Sequence, residues 1–136
     1  MESPQMQTDQ SLARPSKKVI WIGRILSALV VLLMAFSAVG KLFKPAAVIE
    51  GFQKLGYPDH AILPIGITEL ICAILYVIPQ TSVLGAILVT AYLGGATATH
   101  VRVGEPFFSP VIFGMVAWLG LFLRDLRLRA LLPLRS

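Results

Sequence analysis

A carboxylate in the middle of an apolar stretch is the feature that most constrains the fold of this chain. Glu69 lies near the centre of the run 61–78, in which it is the only charged residue. A carboxylate at the centre of a bilayer costs about 2.5–3.5 kcal/mol on insertion scales, and such a residue normally faces the inside of a helix bundle and has a partner. The sequence therefore predicts a helix that buries Glu69 against other helices.

The composition is typical of an integral membrane protein. Hydrophobic residues make up 56% of the 136 residues and charged residues only 14%, whereas soluble domains carry about 25% charged residues. The basic residues cluster at the ends of apolar runs, so the net charge of +5 predicts contact with lipid headgroups and not with nucleic acid. The single cysteine, Cys72, excludes an internal disulfide and is interpreted as a small buried apolar residue.

Four apolar runs predict an all-α integral membrane four-helix bundle. A bilayer core of about 30 Å needs about 20 helical residues, with about 17–25 usual, and none of the runs alternates as a barrel strand does. The predicted spans are residues 19–43, 61–78, 83–101 and 107–123, which form one transmembrane domain over residues 19–123. Residues 1–18 are predicted to be a disordered cytoplasmic tail and residues 124–136 a basic cytoplasmic tail.

The connection between the first two spans predicts a short amphipathic helix. Pro45 favours a helix start and Gly56 a helix end, and Val48, Phe52 and Leu55 fall on one face. We expect this helix to lie in the membrane interface or over the mouth of the bundle.

The distribution of basic residues predicts the orientation in the membrane. Eight lie on the side of the two termini: Arg14, Lys17, Lys18, Arg24, Arg124, Arg127, Arg129 and Arg135. Four lie on the opposite side: Lys41, Lys44, Lys54 and Arg102. Because basic residues favour the cytoplasmic side, both termini are predicted to be cytoplasmic.

Small residues recur at four-residue spacing in the third span, at Ala91, Gly95 and Thr99. One interpretation is close helix packing, which would make the third span the central member of the bundle. The other is that small side chains leave room for a ligand beside this helix.

The predicted topology brings most of the titratable side chains toward the outer half of the bundle. Glu69 and Lys41 would form a buried ion pair, and His100 could exchange protons between that pair and the outer water. The predicted polar cluster is completed by Tyr57, Thr97 and Arg102. No metal site is predicted, because zinc needs three or four ligands and neither His100 nor His60 has a cysteine or another histidine close by in the sequence.

Each of these residues also has a purely structural interpretation. Glu69 could hold helices together by hydrogen bonds, Lys41 could extend to the headgroups, and His100 could be a polar cap at the interface. Arg102 could form a solvated loop pair with Glu105.

Four segments occur here in an order that is found in one family of small membrane proteins. They are Gly40-Lys41-Leu42-Phe43, the segment 52–58, Ile67-Thr68-Glu69-Leu70 and the segment 94–100. Together they resemble the DoxX-like family over roughly residues 20–125. The resemblance implies a four-helix bundle in a bacterial inner membrane. It also implies association with redox complexes or membrane-protein assembly, since the family name derives from a subunit linked to thiosulfate:quinone oxidoreduction.

Three functional hypotheses follow. The favoured one is an accessory subunit or assembly factor, whose partners would be the lipid bilayer and a membrane redox complex or further copies of the chain. The second is a membrane enzyme that acts on a quinone or another lipophilic substrate, with Glu69 and His100 as acid–base groups. The third is a small proton-coupled carrier that uses Glu69. No cofactor is predicted other than the quinone that the second hypothesis allows.

Overall fold

Every regular element in the described part of the chain is a helix. The computed structural model describes residues 16–131. Its helices are α1 (Lys17–Phe43), α2 (Ala46–Lys54), α3 (Asp59–Val77), α4 (Ser82–Val103), α5 (Phe108–Arg124) and α6 (Leu126–Leu131). Three of them, α1, α3 and α4, are long and apolar enough to cross a membrane, and α5 is a shorter apolar helix of 17 residues. The predicted all-α membrane bundle is confirmed.

Local signals determine where α1 begins and ends. The Ser16 side chain caps the helix by accepting a hydrogen bond from the backbone N–H of Val19 (3.3 Å). The helix ends where Lys44 adopts a left-handed conformation with φ of 51°. Pro45 follows and cannot donate a helical hydrogen bond, so the chain turns into α2.

The helical region extends into both segments that were predicted to be tails. Lys17 and Lys18 form the first turn of α1, and residues 1–15 lie outside the described residues. At the other end α6 occupies part of the predicted basic tail, because Leu128 is buried against the bundle (3% exposed). Residues 132–136 also lie outside the described part.

The four long helices form a closed ring. Helix α1 packs against α3 and α5, and α4 closes the ring by packing against the same two helices. Short turns between α3 and α4 and between α4 and α5 make these neighbours antiparallel. Helix α4 has the least extensive contacts of the four long helices, so the interpretation of the third span as the central helix is wrong.

The packed core fills the half of the ring where α1 begins and α5 ends. Its buried residues are Val30, Met34, Cys72, Ala73, Tyr76, Ala86, Val89, Ala117, Leu121 and Leu128. Glycines bring backbones together there, since Gly23 of α1 meets Gly120 of α5 and Gly85 of α4 meets the backbone of Tyr76. Close backbone approach of this kind favours helix association in lipid.

Helix α2 lies over the other half of the ring, where it contacts α3. Val48, Phe52 and Leu55 are half-buried beneath it, while Glu50 and Lys54 are exposed. The predicted amphipathic helix is therefore present with the expected face turned inward, and we call it the cover helix.

Replacing single glycines of α4 with alanine tests this packing. A methyl group at Gly85 would overlap the backbone of Tyr76, whereas one at Gly94 meets nothing within 4 Å. We expect Gly85→Ala to lower the free energy of unfolding by at least about 2 kcal/mol, as overpacked sites do. Gly94→Ala should leave it unchanged or raise it by about 0.5–1 kcal/mol, because alanine favours a helix. Denaturation in detergent followed by circular dichroism measures both; equal midpoints would contradict the packing.

Candidate functional site

A cavity of about 490 Å³ opens in the half of the ring beneath the cover helix. Its walls include Phe52, Ile65, Leu93 and Phe113, and its polar residues are Lys41, Tyr57, Glu69, Tyr92, Thr99, His100 and Ser109. Small-molecule sites are typically concave spaces of about 300–1,000 Å³, mostly apolar with a few convergent polar groups. Within residues 16–131 no three His, Cys, Asp or Glu side chains group as metal ligands.

Lys41 and Glu69 form the predicted ion pair in the wall of this cavity. Lys41 Nζ lies 2.6 Å from Glu69 Oε2, and the two side chains are only 11% and 5% exposed. Ser37 Oγ accepts a hydrogen bond from Lys41 Nζ (2.5 Å) and donates one to Glu69 Oε2 (3.3 Å). Buried charges are tolerated when they are paired and hydrogen-bonded, and Ser37 supplies that support.

The sequence positions this pair by simple helical spacing. Ser37 and Lys41 are four residues apart and share one face of α1. Gly66 precedes Glu69 by three residues on α3, and a Cβ at Gly66 would come within 2.7 Å of Lys41 Cβ. Gly66 thus lets the Lys41 side chain pass close to α3 and reach the carboxylate.

One side of the Glu69 carboxylate remains for a further partner. The bonds from Lys41 and Ser37 both go to Oε2. Tyr92 lies next to the same carboxylate on the cavity wall, and the Phe52 ring lies 6.0 Å from Lys41 Nζ. A polar group in the cavity would therefore meet a carboxylate, a phenol and an ammonium group close together.

His100 lines the same cavity, and its hydrogen bond decides which of its nitrogens is free. Nδ1 lies 2.7 Å from the carbonyl oxygen of Ala96. A carbonyl only accepts, so Nδ1 carries the hydrogen and Nε2 of the neutral ring is the nitrogen that can take up a proton. The structure thus places Glu69 and His100 on one cavity, without a direct bond between them among the hydrogen bonds of the described residues.

Tyr57 and Arg102 attach the cover helix to α4. Thr99 Oγ1 donates to the carbonyl of Gly95 (2.8 Å), so Tyr57 OH donates to Thr99 Oγ1 (2.9 Å). Arg102 donates to the carbonyl oxygen of Leu55 (2.9 Å). Arg102 therefore holds the end of the cover helix by this hydrogen bond. The interpretation of Arg102 as a loop partner of Glu105 did not predict it.

Thr97 lies outside this site. Its hydroxyl donates to the carbonyl of Leu93 (2.8 Å), and it lines a separate groove between α4 and α5 together with Gly94 and Trp118. Although Thr97 is three residues from His100, the two side chains do not share a cavity. One face of α4 lines the cavity beneath the cover helix, and another lines the groove between α4 and α5.

Ser37 and Tyr92 are site residues that the sequence interpretation missed. Ser37 precedes Lys41 by one helical turn, and Tyr92 precedes Thr99 by two turns, so both follow the spacing of one helix face. That spacing was the signal that could have identified them.

Ala91, Gly95 and Thr99 all line the cavity. A Cβ at Gly95 would meet nothing within 4 Å. Of the two interpretations of this small-residue spacing, the one that leaves room beside the helix is therefore the one observed.

The fold and the site together define a small helical membrane protein with a polar cavity beneath a cover helix. The chain belongs to the DoxX-like family, whose model matches residues 25–122. The matched segment contains the ion pair, the cover helix and the whole cavity. No curated protein and no solved structure matches this chain.

Replacing the two members of the ion pair separately and together tests its role in stability. Lys41→Met leaves the Glu69 carboxylate buried without its cation, and we expect a loss of about 3–5 kcal/mol in the free energy of unfolding. The double variant Lys41→Met with Glu69→Leu should regain most of that loss, because apolar groups then replace both charges. Lys54→Met, on the exposed face of the cover helix, is the matched control. A double variant as unstable as the single one would contradict the pairing.

Proposed function

We propose that this DoxX-like protein binds a lipophilic molecule of the quinone class in the cavity beside Glu69. The observation that carries the proposal is the Lys41–Glu69 pair, which forms part of the wall of a 490 Å³ cavity with aromatic sides. Planar rings pack well against aromatic side chains, and Phe52, Tyr92 and Phe113 line the space. A ring with polar oxygens suits such a mixed lining better than a plain acyl chain does.

The polar groups of the cavity can serve both forms of such a ring. Lys41 and Tyr92 can donate hydrogen bonds to a quinone carbonyl, and Glu69 and His100 Nε2 can accept them from the hydroxyls of a quinol. Reduction of a quinone to a quinol takes up two electrons and two protons. In this proposal Glu69 and His100 exchange the protons, and a partner oxidoreductase exchanges the electrons. The binding site and an accessory role in a membrane redox complex are then one function.

The close packing next to the cavity favours the hypothesis of a binding site over that of a carrier. Beyond Glu69 the ring is filled by core residues such as Met34 and Ala73. Tyr76 OH donates to the carbonyl of Ala117 (2.6 Å) and lies 2.9 Å from Ser27 Oγ, whose hydroxyl can donate to it. A carrier must connect its site to both sides of the membrane, whereas this cavity adjoins a packed half.

The location that fits this proposal is a bacterial inner membrane with both termini in the cytoplasm. Among residues 16–131, six basic side chains lie at the end where α1 begins and α5 ends, and four lie at the opposite end. An excess of basic residues favours the cytoplasmic side.

Binding of a short-chain benzoquinone to the full-length protein in detergent tests the proposal. We expect Gly95→Leu to fill the cavity and abolish binding. We expect Glu69→Gln to weaken binding of the quinol form about tenfold, the effect of losing one hydrogen bond to a charged group. Equilibrium dialysis of the quinone and its quinol measures both effects.

Two matched controls accompany these variants. Glu50→Gln makes the same chemical change on an exposed side chain, and Gly94→Leu adds the same bulk one residue away, in the groove between α4 and α5. Both should bind as the wild type does. If the cavity variants bind as tightly as the controls, the proposed ligand site is wrong.

A second observation favours the accessory-subunit role in its own right. The groove between α4 and α5, of about 610 Å³, has a floor of small residues that includes Gly94, Ala98 and Gly114. Met115 and Trp118 border it and add adaptable apolar surface. A floor of small residues lets a further helix approach closely in lipid. We propose that a helix of a partner subunit of the redox complex packs here.

Co-purification in mild detergent after cross-linking tests this interface. Gly94→Leu should remove the partner subunit and leave quinone binding intact, while Gly95→Leu should do the reverse. Mass determination of the purified complex identifies whether the partner is a different subunit or a further copy of the chain. Loss of the partner in both variants, or in neither, would contradict the proposed interface.

A further inference from the structure

The two ends of the bundle differ in charge. At the end where α1 begins and α5 ends, the described basic residues are Lys17, Lys18, Arg24, Arg124, Arg127 and Arg129, and Asp125 is the single carboxylate. At the opposite end, Lys41, Lys44, Lys54 and Arg102 are balanced by Glu50, Asp59, Glu69 and Glu105. The formal charge is therefore six minus one, or +5, at the first end and four minus four, or zero, at the second. We call the first end the basic end.

A crevice of about 180 Å³ lies at the basic end between α1 and α3. Two arginines line its polar part, Arg24 from α1 and Arg124 from the last turn of α5. Ser27 and Tyr76 also line the crevice, and Ala28, Val31 and Val77 form its apolar part. Ala28 and Val31 follow Arg24 by one and two helical turns, so the apolar part continues about 6–10 Å farther along the axis.

The guanidinium group of Arg124 is held in place by the protein. Its Nε donates to Ser27 Oγ (2.9 Å), one terminal nitrogen donates to the carbonyl oxygen of Tyr76 (3.4 Å), and the group lies 5.4 Å from the centre of the Tyr76 ring. All of these partners are uncharged. The neighbouring carboxylate of Asp125 pairs with Arg127 instead (3.7 Å).

Arg24 lines the same crevice. Its guanidinium lies 5.4 Å from the centre of the exposed Trp21 ring. Neither Arg24 nor Arg124 forms a salt bridge with a carboxylate of residues 16–131. Arg24 and Arg124 therefore line one small crevice that also has an apolar part.

We propose that this crevice binds the phosphate of an anionic membrane lipid. The phosphate lies between Arg24 and Arg124, whose planar forks match phosphate oxygens. The first part of an acyl chain follows the apolar part of the crevice along Ala28, Val31 and Val77. Basic pockets between transmembrane helices recognise lipid headgroups by this chemistry, and the apolar continuation favours a lipid over free phosphate.

Lipid retention by the full-length protein tests this site. The protein is exchanged into mixed micelles with equal amounts of phosphatidylglycerol and phosphatidylcholine, and the retained lipids are measured by mass spectrometry. We expect the wild type to retain phosphatidylglycerol selectively. We expect Arg24→Gln to lower its retention about tenfold, as the loss of a charge-assisted contact does.

Arg127→Gln is the matched control, since it removes the same charge at the same end but outside the crevice. It should change retention by less than about twofold, because an exposed charge contributes little. Equal losses in the Arg24 and Arg127 variants would overturn the site in favour of general attraction to the basic end. Arg24 makes no hydrogen bond among those of the described residues, so its variant should keep the wild-type melting temperature. Arg124→Gln should weaken retention as well, at some cost in stability.

A competition experiment separates the lipid from free phosphate. Millimolar inorganic phosphate should leave bound phosphatidylglycerol in place, because it cannot occupy the apolar part of the crevice. Displacement of the lipid by inorganic phosphate at that concentration would overturn the lipid proposal.

Discussion

Two opposite charges have to be kept inside an apolar bundle, and the arrangement of this protein follows from that constraint. Removing an ion from water costs several kcal/mol even after relaxation, so a buried pair must be in contact and hydrogen-bonded. Lys41 and Glu69 meet at 2.6 Å with Ser37 as a shared neighbour. That contact requires α1 and α3 to approach closely, which Gly66 permits. The same contact leaves polar atoms facing inward, and a cavity beneath the cover helix forms around them.

The two halves of the bundle differ in packing: one is closely filled and the other contains the proposed binding cavity. In the packed half, the helix backbones approach closely where Gly23 meets Gly120 and where Gly85 meets Tyr76. The core there is closely filled. In the other half, Gly95 has open space beside it, and the small side chains on that face of α4 do not fill the cavity. Residues that build a binding site rarely also optimise packing. The packed half can stabilise the ring while the other half holds the ion pair.

The sequence predicted the features that a large energetic cost in the membrane determines. It did not predict features that depend on how a helix is rotated about its own axis. The spans could be predicted because apolar length is set by the bilayer, and the pairing of Glu69 with Lys41 because an isolated charge in lipid is costly. The placement of Thr97 could not be predicted from its spacing to His100. Helix α4 carries apolar residues on every side, so no amphipathic face shows how it is turned. Helix α6 was missed because arginines flank the buried Leu128 on both sides.

The charge balance of the end that holds the cavity is consistent with the neutral ligand proposed for it. The end that holds the cavity has a formal charge of zero among its described residues, so its long-range field does not select an ion. A neutral molecule that enters from the bilayer loses little hydration, and it can use the local dipole of the ion pair for orientation. A quinone and its quinol are both neutral, since two protons accompany the two electrons. The proposed site, with a carboxylate, an ammonium group and an imidazole, would therefore bind both forms without accumulating charge inside the membrane.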